Sequence, residues 1–298
     1  MKETPVELSI CIPTNGVDDF IFDVLESIFI QNVSKELFEV IVMDNGNNIK
    51  FKEKMISYAE NKSNLYFYET NAELFMGEIE SYKKASGKFI KFINHRTRLL
   101  PGTIDYYLDF VRRNQDKRPI VYFSNGVLNK NTVETMASFD RFVYELSYWS
   151  SWSTGMGIWK EDLKSVLYEQ NKCINFLFPH TTILLNACSE REYIIDDTLM
   201  LIELRGENIK KGKYDLFYAF CVEYPMILCD LYRNKHIRAN TLKKILNDNL
   251  NLIAFFYHGF VMNKKKTNYD IRGFNDAMDI FYTKEQIESR MLDLYGSE

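Results

Sequence analysis

The stretch "ELSICIPTNGVDDFIFDVLESIFIQN" (7–32) decides how the first two-thirds of this chain folds. Leu8, Ile10, Cys11 and Ile12 form a short apolar run that Pro13 and the turn residues Thr14, Asn15 and Gly16 close, which reads as a strand entering a loop. Phe20, Val24, Leu25, Ile28 and Phe29 then recur at helical spacing, with acidic residues in the first turn where they suit the helix dipole. The same strand–loop–helix unit returns downstream. "FEVIVMDNG" (38–46) reads as a strand, "FKEKMISYAENK" (51–62) as a helix and "NLYFYET" (64–70) as a strand. "GEIESYKKASG" (77–87) is a helix with Gly87 just past its end, and "KFIKFIN" (88–94) a fourth strand. Strands alternating with helices call for a parallel sheet with crossover helices, an α/β fold. Ligands of such sheets bind beyond the carboxyl ends of the strands. Those ends carry residues 13–16, 44–46, 71 and 94–98.

Further on, "TIDYYLDFVRRN" (103–114) reads as a helix and "PIVYFSNGVL" (119–128) as a strand. "YELSYWSSWSTGMGIWKEDL" (144–163) is a polar-aromatic stretch that runs into a helix start. "INFLFPHTTILLNAC" (174–188) is a helix opened near Pro179, and "REYIIDDTLMLIEL" (191–204) is β-rich. From about residue 214 the pattern is helical, and no internal repeat is present. The composition shift at "RGENIKKGK" (205–213) divides the expected domains, 1–210 and a helical extension over 211–298.

The 298 residues suffice for a large core, and 46% hydrophobic with 26% charged residues is ordinary for a globular chain. A net charge of -4 points to no nucleic-acid partner. Cys11, Cys173, Cys188, Cys221 and Cys229 are scattered in apolar runs without metal-ligand spacing, so they read as buried free thiols of a reducing compartment. The start lacks the pattern of a secretory signal, and no apolar run is long enough to span a membrane. A cytoplasmic location is expected.

Four motifs in order resemble inverting family 2 glycosyltransferases of the GT-A fold, closest in flavour to the abequosyltransferase-like group that acts on bacterial surface polysaccharides. "LSICIPTNG" resembles their opening strand, and "FEVIVMDNG" the second strand, which ends in an Asp that holds the nucleotide base. "ASGKFIKFINHRTRLLPG" resembles the block that carries the metal-binding D-x-D acids, and "STGMGIWKEDL" the glycine-bearing strand that follows. The resemblance covers roughly residues 6 to 200 and leaves the tail uncovered. It implies a Rossmann-like, mostly parallel sheet flanked by helices, plus a C-terminal helical region. Its implied partners are a nucleotide-sugar donor and a glycan or lipid-linked glycan acceptor.

The resemblance places Pro13, Thr14 and Asn15 at the nucleotide, although the usual Tyr before Asn is absent. It makes Asp44 the acid that accepts from a pyrimidine ring N–H; the plain alternative is an Asx turn at a strand end. Asn71 matches a polar loop residue at the third strand end. The departure is the D-x-D block, which is degenerate here. Aligned on Pro101 and Gly102, it puts Asn94, Arg96 and Thr97 where the family has metal-binding acids. Mn²⁺ or Mg²⁺ is therefore not expected as a cofactor. Arg96, with Arg98 beside it, is a candidate to neutralise the donor diphosphate, because a guanidinium grips phosphate bidentately and keeps its charge. Of the two, Arg96 is favoured because it occupies the motif position. A solvated basic loop or a decayed site are the alternatives.

An inverting transferase needs a base for the acceptor hydroxyl, and the acid usual in the family is missing between 171 and 187. His180 stands in the matching place; its ordinary pKa of about 6.5 suits the task. Asp196, Asp197, Glu161 and Asp162 are fallback bases. Trp152, with Trp149 and Trp159, is a candidate sugar-stacking platform, and Gly155 and Met156 would allow close backbone approach to a donor sugar. The basic run "NKKKTN" (263–268) reads as a solvated loop or as peripheral docking on an anionic membrane. Two functions stand: a metal-independent glycosyltransferase, or an inactive GT-A-like scaffold that binds a nucleotide or partner.

Overall fold

Strand β1 (Leu8–Thr14) lies at the middle of the main sheet, hydrogen-bonded in parallel to β2 (Phe38–Asp44) and to β4 (Phe89–Phe92). The computed structural model describes residues 5–17, 19–169, 173–187, 191–204 and 213–296. Helix α1 (Phe20–Phe29) crosses from β1 to β2, and α2 (Ile49–Ala59) from β2 to β3 (Leu65–Glu69). Helix α3 (Gly77–Lys84) then returns the chain to the opposite side of β1. The sheet order is β3-β2-β1-β4, closed by β8 (Gly157–Trp159), which runs antiparallel to β4. The expected α/β fold with a mostly parallel sheet is what the chain adopts. Because β1 feeds β2 on one side while β4 lies on the other, the sheet has a topological switch point between β1 and β4, the usual place for a ligand crevice.

Around this sheet lie β5 (Thr97–Leu99), α4 (Thr103–Asn114), β6 (Ile120–Phe123) and β7 (Val133–Met136). Helix α5 (Phe139–Leu146) follows. After β8 come α6 (Lys160–Lys164), α7 (Pro179–Asn186), β9 (Tyr193–Asp196) and β10 (Leu201–Glu203). Strand β9 pairs in parallel with β6 and antiparallel with β7. The loop expected over 94–98 is partly strand, since Thr97–Leu99 pairs antiparallel with β10. The β-rich stretch 191–204 is two short strands separated by the irregular residues 197–200.

The chain groups into two units, residues 1–137 with 152–209, and residues 138–151 with 210–298. The second unit contains α5, α8 (Leu216–Tyr218), α9 (Tyr224–Arg233), α10 (Ala239–Phe256) and α11 (Lys284–Tyr295). Segment 205–212 of the expected boundary lies outside the described residues. Among the described residues no helix is long and apolar enough to cross a membrane. Cys11 and Cys221 are buried thiols; Cys173 is exposed, against expectation, because it lies in the irregular segment before α7. Cys188 falls outside the described residues.

The core of the first unit joins Leu8, Ile10 and Ile12 of β1 to Val40 and Val42 of β2, to Ile21 and Val24 of α1, and to Phe89, Phe110, Phe123 and Trp159. Set in that apolar surround is a fully buried cation, Lys91. Its Nζ donates to the carbonyls of Phe92 (3.0 Å), Met156 (3.1 Å) and Thr154, and it lies 5.3 Å from the centroid of the Phe123 ring. It thereby ties segment 154–156 to β4. Burial pushes its pKa down to about 7. Below that value both folded and unfolded chains carry the proton; above it only the unfolded chain does, so stability rises with pH. The difference in stability between wild type and Lys91→Met is expected to move in favour of wild type as pH climbs from 7 toward 10.5, by up to about 1.4 kcal/mol per unit. Denaturant titrations across that range check it; a difference independent of pH would mean Lys91 stays charged throughout.

Candidate functional site

The loops that leave β1 and β2 are bound to each other by their own polar residues. Thr14 Oγ1 accepts from Gly16 N (3.2 Å) and Asn15 Oδ1 from Val17 N (3.3 Å), two local turns that shape the first loop. Asn48 Nδ2 donates to Gly16 O (2.9 Å), while its Oδ1 caps α2 by accepting from Phe51 N. Gly46 is required by this crossing, because a Cβ there would stand 1.9 Å from Asn15 O. Asn45 reaches the third loop, donating to the carbonyls of Ala72 (3.0 Å) and Leu74 (3.3 Å). Asn71, in that loop, is exposed.

Asp44 closes β2 and is fully buried. Its Oδ1 accepts from Gly46 N (2.9 Å), the Asx turn foreseen as the plain reading. Its Oδ2 is buried and has no hydrogen-bond partner among the described residues. Burial raises its pKa above the ordinary carboxylate value, against the opposing pull of the Gly46 N–H and of Lys52.

The loop after β4 holds the other side of the switch point. Asn94 is committed to a turn, its Oδ1 accepting from Arg96 N (3.1 Å). His95 Nδ1 lies 3.3 Å from Pro13 O, which links this loop to the one after β1. Burial, and then the neighbouring charge of Arg96, push the His95 pKa down to about 4, so at neutral pH this ring is uncharged. With neutral imidazole, Nδ1–H donates to Pro13 O and Nε2 is left as an acceptor; Nε2 is buried and has no partner within the described protein. Arg96 is half-buried; its Nε and Nη1 are buried and have no partner either. Arg98 is exposed on β5, paired across to Ile202. The two arginines differ because Arg96 sits in the turn that precedes β5, whereas Arg98 is on the strand itself.

At the positions where the resemblance puts metal-binding acids, Asn94 is spent on a turn and Arg96 is a cation. Among the described residues no three His, Cys, Asp or Glu side chains converge as a metal would need. Neither Asn94, whose Oδ1 is taken by Arg96 N, nor the cation Arg96 offers the anionic oxygen that a divalent cation prefers.

His180 lies in the first turn of α7, behind Pro179, and is buried. Its Nδ1 is 3.3 Å from Glu78 Oε2 on α3. Glu78 is itself buried, and its Oε1 accepts from Tyr82 OH (2.7 Å). The sequence reading missed Glu78. Its one legible signal was the Glu–Tyr pair at i,i+4 in the first turn after the third strand. The fallback bases are engaged elsewhere. Asp197 accepts from Ser124 Oγ (2.6 Å) and from the amides of Leu128, Lys130 and Asn131. Burial works to raise its pKa, but these four donors outweigh it and hold it below the ordinary value. Asp196 accepts from Tyr106 OH (2.8 Å), Asp162 is gripped bidentately by Arg191 (2.6 and 2.7 Å), and Glu161 pairs with Arg118.

The aromatic stretch divides. Trp159 is core, donating its indole N–H to Pro119 O (2.9 Å) and packing on Phe89. Trp149 belongs to the second unit and Trp152 to the first. Trp152 is half-buried, and its carbonyl accepts from Tyr122 OH (2.8 Å). Gly155 lets a protein ring approach: a Cβ there would lie 2.1 Å from Tyr122 Cζ. Met156 is buried, with its carbonyl held by Lys91.

This arrangement, a mostly parallel sheet whose strand-end loops converge around Asp44 and Arg96, is the GT-A fold. Solved structures bear this out at low identity. S. aureus TarS 1–349 in complex with UDP-GlcNAc superposes with a TM-score of 0.64 at 16% identity, over 98% of this chain and 90% of that one. TarS 1–349 alone gives 0.58 at 18% identity, over 87% and 76%. A longer TarS chain gives 0.61 at 17%, over 98% of this chain and 54% of that one. The structural likeness thus extends past residue 200, where the sequence resemblance stops. No family model matches the sequence, and no curated protein matches it.

A buried carboxylate whose folded pKa is raised costs stability at neutral pH, and that cost vanishes on protonation. Asp44→Asn, which keeps an oxygen for Gly46 N, is expected to melt at or above wild type at pH 7. The gap should narrow as pH falls toward the ordinary carboxylate value of 3.8. Calorimetric melts over that range decide it; a less stable Asn variant would mean that the charge of Asp44 is balanced by a favourable field.

Proposed function

We propose that this protein transfers a glycosyl group from a nucleotide-sugar donor, with inversion and without a metal ion, to a bacterial surface glycan or its lipid-linked precursor in the cytoplasm. The observation that carries this reading is a set of buried polar atoms without partners on both sides of the switch point: Asp44 Oδ2, His95 Nε2, and Arg96 Nε and Nη1. Buried polar groups are almost always paired, and each unpaired one costs about 1–3 kcal/mol, so their clustering at strand ends marks a place kept for a ligand. An acceptor at Asp44 suits a pyrimidine ring N–H, and cationic donors at Arg96 suit a diphosphate. The likeness to a TarS crystallised with UDP-GlcNAc and with UDP makes UDP the first nucleotide to test.

In the proposed step the acceptor hydroxyl oxygen bonds to C1 of the sugar from the face opposite the diphosphate. The bond from C1 to the diphosphate oxygen breaks with its electron pair, and the nucleoside diphosphate leaves. The hydroxyl proton passes to His180. Glu78, 3.3 Å from His180 Nδ1 and held by Tyr82, is the positioning residue that fixes the ring and offsets the charge the imidazole gains. Arg96 meets the growing negative charge on the leaving group, the task a metal performs elsewhere in this fold.

Asp44→Ala is expected to weaken nucleotide binding by about 1.5–3 kcal/mol, as for a lost hydrogen bond to a charged group. Calorimetry with UDP measures it, and unchanged affinity in folded protein removes Asp44 from the site.

Transfer is expected to continue in EDTA and to gain little from Mn²⁺. Arg96→Ala should cut kcat by about a hundredfold or more, with Arg96→Lys restoring part, because an ammonium keeps the charge without the planar fork. His180→Ala should lose about a hundredfold with donor affinity intact, and Glu78→Gln less, again in kcat rather than KM. Activity silent in EDTA and revived by Mn²⁺ would sink the arginine mechanism. Nucleotide binding without turnover across donors and acceptors would leave the scaffold reading instead.

A further inference from the structure

The second unit carries a cleft that the proposed transfer site does not use. It encloses about 450 Å³ and is lined by Tyr257, Phe260 and Phe274, with Lys264, Arg272 and Lys284 among its other lining residues. All the charged side chains among its lining residues are cations. Asp270 takes Nε and Nη2 of Arg272, and Glu288 lies 3.7 Å from Lys284 Nζ and accepts from Tyr257 OH (2.9 Å). Arg272 and Lys284 thus each have an acidic neighbour. Lys264, Lys265 and Lys266 are exposed, and among the described residues no carboxylate pairs with them. Lys264 takes a left-handed backbone conformation (φ 47°) that residues with a Cβ adopt sparingly, and Lys265 N closes the turn on Gly259 O (3.0 Å).

Beside the cations are large apolar side chains left in water. Met262 directly precedes the basic run and is 53% exposed; Phe255, seven residues earlier, is 52% exposed. Phe256 is stacked 6.2 Å from Phe260, so an aromatic path leads from Phe255 to the cleft. A soluble phosphate would account for the lysines but not for an aromatic floor or for exposed Met and Phe. A bilayer surface accounts for both, since basic side chains meet anionic headgroups while apolar ones enter the boundary with the acyl chains.

We propose that this face, Phe255 to Lys266 with the cleft beside it, docks the protein on an anionic membrane surface, and that the cleft takes one phosphate-bearing lipid headgroup. The inference stands apart from the transfer reading, and its test separates the two. The full chain should cosediment with vesicles of phosphatidylcholine carrying phosphatidylglycerol, but not with phosphatidylcholine alone, and raised salt should release it. The combined variant Lys264→Glu, Lys265→Glu, Lys266→Glu should lose about tenfold or more in vesicle affinity. Phe255→Ser with Met262→Ser should weaken binding at unchanged charge. Equal binding to both vesicle types, binding to neither, or an unaltered triple variant would overturn the proposal. Inorganic phosphate that raises the melting temperature of a chain unable to bind vesicles would make the cleft a soluble-anion site and overturn it as well. UDP affinity, measured by calorimetry on the same triple variant, should match wild type; its presence or absence reports on the transfer reading alone.

Discussion

The constraint on which the first unit depends is that β1 is parallel to both of its neighbours at once. Leu8 lies opposite Phe38 on one side and Phe89 on the other, and the registers then run in step. Parallel strands cannot be joined by hairpins, so each return needs a helix, and every strand of the set finishes at the same edge. Thr14 therefore ends beside Asp44, and Ile93 N donates to Cys11 O as β4 gives way to its loop. Four loops with no sequence continuity are delivered to one place by backbone hydrogen bonding alone. The antiparallel β8 adds the fifth element, and its approach is held by Lys91, whose Nζ takes up carbonyls from the segment that precedes it.

Delivering the loops does not explain their contents. A stable scaffold would pair its buried polar atoms, and most of this edge does so: Thr14, Asn15, Asn45, Asn48 and Asn94 are all spent on turns, caps and cross-loop bonds. Against that background Asp44 Oδ2, His95 Nε2 and the Arg96 nitrogens stand out as unsatisfied. Their signs differ, acceptors at Asp44 and His95 and donors at Arg96, as a ligand with a donor at one end and an anion at the other would require. The neutral state of His95 follows from the same geometry, since a second cation against half-buried Arg96 would add repulsion to desolvation.

Much of this was legible in the sequence, for a physical reason. Strand, turn and helix signals are local, so β1 to β4, their helices and the loops at 13–16, 44–46 and 94–98 could be read from periodicity and turn chemistry. Arg96 was preferred over Arg98 for its place in the motif, and the two arginines do differ, one with buried nitrogens in a turn and one exposed on β5. What stayed hidden depends on contacts far apart in sequence. Glu78 meets His180 across a hundred residues of chain, and Lys91 reads as an ordinary polar residue until its acceptors at 154 and 156 are brought to it. Gly155 looked like room for a sugar; only the packing reveals Tyr122 in that space. The grouping of residues 138–151 with the C-terminal unit was equally out of reach, because no composition shift marks it.

A guanidinium in place of a metal, as proposed, would change the energetics of the whole edge. A divalent ion arrives with its substrate and leaves with the product, so the empty protein is spared its charge. Arg96 is permanent, and the protein bears its partial desolvation whether or not a nucleotide is bound. That cost falls in the same loop as the unsatisfied His95 and across the switch point from Asp44. The ligand-free edge therefore carries an uncompensated cost, and a nucleotide that supplied the missing partners, as proposed, would stabilise the folded state through mass action. In the proposed transfer the same preorganisation would make the fixed charge effective, because donors already desolvated need no rearrangement as the leaving group develops its charge. In the proposed transfer, stability given up in the empty protein and charge stabilisation of the leaving group would be two consequences of one half-buried arginine with unpaired nitrogens.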